Sequence, residues 1–74
     1  MADEDGAIEF RPQSAAIAEV RWVPLWGPTL GIMRVTFTNG KVYGHDGVPR
    51  DVVERFRDAA SAGSFYNAEI KGSY

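Results

Sequence analysis

Asn39-Gly40 is the feature that most limits what this chain can fold into. Both residues tolerate the positive φ that a tight reversal needs, and between two alternating runs this pair is the strongest short-range hairpin signal. Upstream, Met33, Val35 and Phe37 alternate with Arg34, Thr36 and Thr38, so residues 29–38 read as a two-faced strand. Downstream, residues 41–45 read as its partner. Two registers are open. A two-residue turn pairs Thr38 with Lys41 and sets Tyr43 and His45 beside Arg34 and Thr36. A three-residue loop with Gly40 in a left-handed bulge pairs Phe37 with Lys41, and Tyr43 then joins Met33 and Val35. The bulged form gathers the larger apolar residues on one side and is preferred.

The hairpin has little else to pack against. Seventy-four residues allow one thin-cored domain, and with no cysteine neither a disulfide nor a thiolate metal site can brace it. Four of the ten acidic residues fall in the first nine positions. From Phe10 onward eight basic residues face six acidic ones, leaving +2, well short of the patch a non-specific DNA binder carries. The opening Met-Ala-Asp-Glu-Asp-Gly lacks the basic and apolar regions of a signal peptide, and no apolar run would span a bilayer. A cytoplasmic protein with no membrane partner is expected.

Residues 1–12 read as an acidic, flexible arm and residues 13–74 as the folded domain. Residues 14–22 form the first strand. Ile17, Val20 and Trp22 do not keep one period of two, which predicts a bulge or a two-sided strand. Val23-Pro24-Leu25-Trp26-Gly27-Pro28 is a connecting loop, with Trp26 expected to fold back onto the core. Pro49 opens an amphipathic helix over residues 49–62, with Val52, Val53, Phe56, Ala59 and Ala60 as its apolar stripe and Asp51–Arg55 as an ion pair. Gly63 is its expected left-handed stop, and Ser64 caps a short helix over residues 64–71. The expected fold is α+β: a three-stranded antiparallel meander with both helices on one face.

These residues resemble the KTSC domain, named for its place at the C-terminus of some lysine-tRNA synthetases and also found as a free-standing small protein. The resemblance runs from Ser14 and Ile17 through Val35-x-Phe37, Gly40, Tyr43 and Val48-Pro49. It is most specific in Phe56, Ala59, Ser61-x-Gly63, Phe65-Tyr66-Asn67, Ile70-Lys71 and Tyr74. Trp22 stands where the family usually has tyrosine. The family's Tyr-x-Tyr appears as Tyr43-Gly44-His45. Through the synthetase fusion, the resemblance implies RNA as the ligand.

The chemistry points to binding rather than catalysis. His45 is the single histidine, and Asp46 beside it on a strand faces the other way, so the two do not form a base and its orienter. His45 is expected to make a structural or solvent hydrogen bond; no cofactor or metal is expected. For nucleic acid, the candidates are Arg34, Lys41, Tyr43 and His45, which under the two-residue turn share one face on which unpaired bases would stack, with Lys71 adding a phosphate contact. Under the bulged turn that face loses both rings and Tyr43 becomes core. Arg50, Arg55 and Arg57 are interleaved with acids and read as a solvated helix face. A rival is a protein partner, either a second copy or a host protein, met through Trp22, Trp26, Tyr66 and Tyr74. A small ligand held at a subunit interface is the third reading.

Overall fold

The computed structural model describes residues 6–74. Four strands, β1 (Ile8–Phe10), β2 (Ile17–Pro24), β3 (Leu30–Phe37) and β4 (Val42–Pro49), form one antiparallel sheet in chain order. Helix α1 (Arg50–Asp58), the short α2 (Ala62–Phe65) and a widened turn of π-helix (Tyr66–Ile70) follow. The architecture is α+β, as expected, but the sheet has four strands rather than three. The extra strand comes from the segment expected to be a flexible arm. Ile8 and Phe10 flank Glu9 and pair with Trp22 and Val20, which brings them onto the core face. Ile8 is buried, and Phe10 meets the Phe56 ring edge-to-face at 5.5 Å. The acidic residues Asp3, Glu4 and Asp5 lie outside the described residues.

Two bulges let residues three apart face the same way. Between Ile17 and Glu19, Ala18 is the extra residue, so Ile17 and Val20 are both buried. On β4, Asp46 and Gly47 together oppose Ile32, with Gly47 at φ 68°. That inserted residue turns both His45 and Val48 inward. Trp22, Val20, Met33, Val35, Val53 and Phe56 form the centre of the core. The Trp22 indole N–H donates to the Val48 carbonyl at 2.9 Å, which satisfies a buried polar group on each side.

The helical half is shorter and differently capped than expected. Pro49 is extended at φ −69°, ψ 149°, so it ends β4, and α1 begins one residue later. At the other end Ala59 is already extended, because Ser61 starts the next helix: its hydroxyl accepts from the Ser64 N–H at 3.2 Å. Gly63 therefore lies inside α2 rather than ending α1, and Ser61 rather than Ser64 is the cap. The helix ion pair is Arg50–Glu54 at 3.0 Å, not Asp51–Arg55. Arg55 instead sits over the Phe65 ring at 5.8 Å.

Candidate nucleic-acid interface

The turn after β3 determines what the site contains. Phe37 N–H donates to Lys41 O at 2.8 Å and Gly40 N–H to Phe37 O at 2.9 Å, with Gly40 at φ 94°. This is the three-residue loop with a glycine bulge, the preferred register. Asn39 reinforces it by accepting the Lys41 N–H on its side-chain oxygen at 3.0 Å. Val35 then opposes Tyr43, which places Tyr43 on the helix side of the sheet. Tyr43 is 46% exposed, since it stands on the open edge strand.

A ladder of rings follows from this register. Phe37 meets Tyr43 at 5.4 Å and Tyr66 at 5.2 Å, and Tyr66 meets His45 at 5.5 Å, all edge-to-face or nearly so. Together Phe37, Tyr43 and Tyr66 line a half-open groove of about 460 Å³. Lys41 and Asn39 line it from the turn, and Asn67 and Lys71 from the π turn and the residue after it. Among the described residues no carboxylate lines this groove. Neither lysine belongs to any of the three ion pairs among the described residues, Arg21–Glu9, Arg50–Glu54 and Arg57–Asp58.

His45 works underneath the groove rather than in it. It is buried, with Nε2 3.0 Å from the Tyr66 hydroxyl and Nδ1 3.4 Å from the Tyr74 main-chain oxygen. A main-chain oxygen only accepts, so Nδ1 carries the hydrogen in this contact, and Nε2 of the neutral ring accepts from the Tyr66 hydroxyl. The ring props Tyr66 in place and is unavailable as a stacking surface. Burial, and then the neighbouring Tyr43, hold the Tyr66 hydroxyl above the usual phenol pKa, so it stays a donor at neutral pH.

The sequence-selected residues thus divide. Lys41, Tyr43 and Lys71 come together. Arg34 does not: it lies on the opposite face of the sheet, beside Arg21 and Gly44. Of the aromatics assigned to a protein partner, Trp22 is fully buried and Tyr66 nearly so, with only a small part of the latter lining the groove. Tyr74 is 41% exposed and Trp26 49%. Trp26 does not fold back. Leu25 and Trp26 both donate their N–H groups to Leu30 O, and Gly27 at φ 83° turns the chain at the hairpin tip. The core beneath is already filled by Trp22 and Phe56. Asn39 and Asn67 went unnoticed as site residues. Asn39 reads from sequence only as a turn former, and Asn67 reaches the groove only through the helical half.

Among the described residues no three His, Asp or Glu side chains are grouped to hold a metal ion, and no helix is long and apolar enough to cross a membrane. No curated protein and no solved structure matches the chain. The sequence profile of the KTSC domain does match, over residues 13–74, which takes in β2, β3, β4 and the whole helical half while β1 precedes it. With that span and the groove residues inside it, the chain belongs to the KTSC domain family.

Proposed function

We propose that this chain is a non-enzymatic, cytoplasmic binding module whose ligand is RNA, held in the groove between the β3–β4 turn and Lys71. One observation carries the reading. In a chain of net charge −2, the aromatic groove collects two lysines that, among the described residues, join no ion pair and meet no carboxylate. Lysines contact phosphates without reading sequence, and the exposed face of Tyr43 offers a stacking surface to an unpaired base. The Asn39 oxygen is spent on the turn, so this side chain offers only N–H donors to a base edge.

The test is anisotropy of a labelled single-stranded RNA pool at low salt. Lys41→Glu with Lys71→Glu should weaken binding by at least roughly tenfold and flatten its salt dependence by about 1.4 in log–log slope, two phosphate contacts at ~0.7 each. Arg34→Glu, on the other face, should change affinity far less. An unmutated chain that retains no RNA at low salt ends this reading.

A second reading, a protein-interaction module, draws on a different place: the exposed Leu25 and Trp26 at the opposite end of the sheet.

A further inference from the structure

The helices cover one face of the sheet, and the other carries a block of four side chains that needs explaining. Arg21 opposes Arg34 directly across β2 and β3, and two residues along Val23 opposes Ile32. Like charges placed directly opposite destabilise a strand pair. Only one of these two is relieved: Arg21 meets Glu9 at 3.6 Å, while Arg34 has no carboxylate partner among the described residues. The four side chains enclose a shallow groove of about 240 Å³, apolar at one end and doubly cationic at the other. Room for one large side chain with an electron-rich face is what this block offers.

The chain itself supplies such a side chain. Trp26 stands three residues beyond Val23 at the tip of the same hairpin, half exposed, with Leu25 beside it more exposed still. Tryptophan offers the best ring face for a guanidinium. The same pairing already occurs inside the fold, where Arg50 sits 5.9 Å from the centre of the Trp22 ring. Knob and groove are close together on one hairpin, so a twofold axis can seat each in its counterpart and close the assembly.

We infer that two copies of this chain associate through this end of the sheet, with Trp26 of each inserted into the groove between Arg21 and Arg34 of the other. The contact is small. A tryptophan buries about 150–250 Å², so with Leu25, Val23 and Ile32 each copy contributes a few hundred Å², below the ~800 Å² of a standard stable interface. Association is therefore weak and must be sought at high concentration.

Sedimentation equilibrium of the full chain from about 10 μM to 1 mM, with iodide quenching of tryptophan at both ends of the range, tests this. The mean mass should climb from one chain toward two while the quenchable emission, which comes from Trp26 since Trp22 is fully buried, becomes protected. Trp26→Ala and, separately, Arg21→Ala with Arg34→Ala should each hold the protein at the mass of one chain. These are exposed side chains, and unchanged circular dichroism would show the fold intact. A wild-type chain that stays single at the top of the range overturns the inference. So does a dimer that survives either variant, or one in which Trp26 remains quenchable. RNA retention by the groove is independent of these outcomes.

Discussion

Strand β3 connects two turns built on opposite principles. At its far end, the Thr38–Lys41 turn is closed by its own hydrogen bonds, and its neighbouring ring, Tyr43, is braced by Phe37. At its near end, the Leu25–Thr29 loop bonds its main chain to Leu30 O but leaves Leu25 and Trp26 in solvent. The first end gathers cations and amides around braced rings; the second presents bare apolar side chains above two arginines. The groove proposed for RNA and the surface proposed for self-association thus lie at two ends of one small sheet. Short domains have few side chains to spare for the core, so half-exposed aromatics here carry more information than they would in a large protein.

The largest expected effect lies at the near end. Gly31 lies in the sheet between β2 and β4, and a Cβ there would run into the Val23 carbonyl and the Pro24 Cα. These are main-chain atoms of β2, which cannot swing aside as a flexible side chain would. Gly31→Ala should cost about 3 kcal/mol or more, a fall in Tm of at least 12 °C for a domain of this size. At the far end Gly40→Ala meets nothing, but its φ of 94° suits only glycine, so a loss of about 1 kcal/mol is expected. Paired thermal melts check both. If Gly40→Ala proves the more damaging, the contrast between a sterically locked end and a conformationally locked one is wrong.

A smaller effect sharpens the far end through pH. Tyr66 ionises from an unfolded-state pKa near 10.0, and burial raises that value in the fold. Below pH 10 both states are protonated and stability is unaffected. Above it the unfolded chain loses its proton first and stability falls until the folded pKa is passed. Urea melts between pH 8 and 11 should show this decline, and Tyr66→Phe should reduce it while lowering stability at neutral pH by freeing His45. An unchanged alkaline slope in Tyr66→Phe would mean that the buried hydroxyl is not its source.

What the chain disclosed in advance follows the range of the interactions involved. The Asn39-Gly40 turn, the strands beside it and the Val52–Val53–Phe56 stripe are local patterns, and they were legible. The irregular spacing of Ile17, Val20 and Trp22 announced the bulge at Ala18 for the same reason. Strand β1 was not legible, since three residues among charges become a strand only by pairing with β2. His45 joined the binding surface only in the two-residue register; the bulged turn sets it opposite Met33, on the same face as Tyr43, and its bond to Tyr66 holds it there. Arg34 was grouped with Lys41 through the two-residue register, whereas the bulged register sets them on opposite faces. Trp26 was expected inward because a thin core recruits every large side chain in reach, yet it stands half exposed at the hairpin tip. Lys71 was legible as a cation, but its approach to Lys41 depends on the π turn, whose Lys71 N–H bonds back to Tyr66 O at 2.9 Å.

The most direct test sets the two ends of β3 against each other in one titration. Amide chemical shifts of the full chain are followed as a short single-stranded RNA is added at low salt. Shifts should concentrate at Lys41, Tyr43, Asn67 and Lys71, with Arg21, Ile32 and Arg34 essentially still. Movement centred on Arg34 and its neighbours, or no movement at all, would contradict the claim that the groove beside the β3–β4 turn is where this protein meets its ligand.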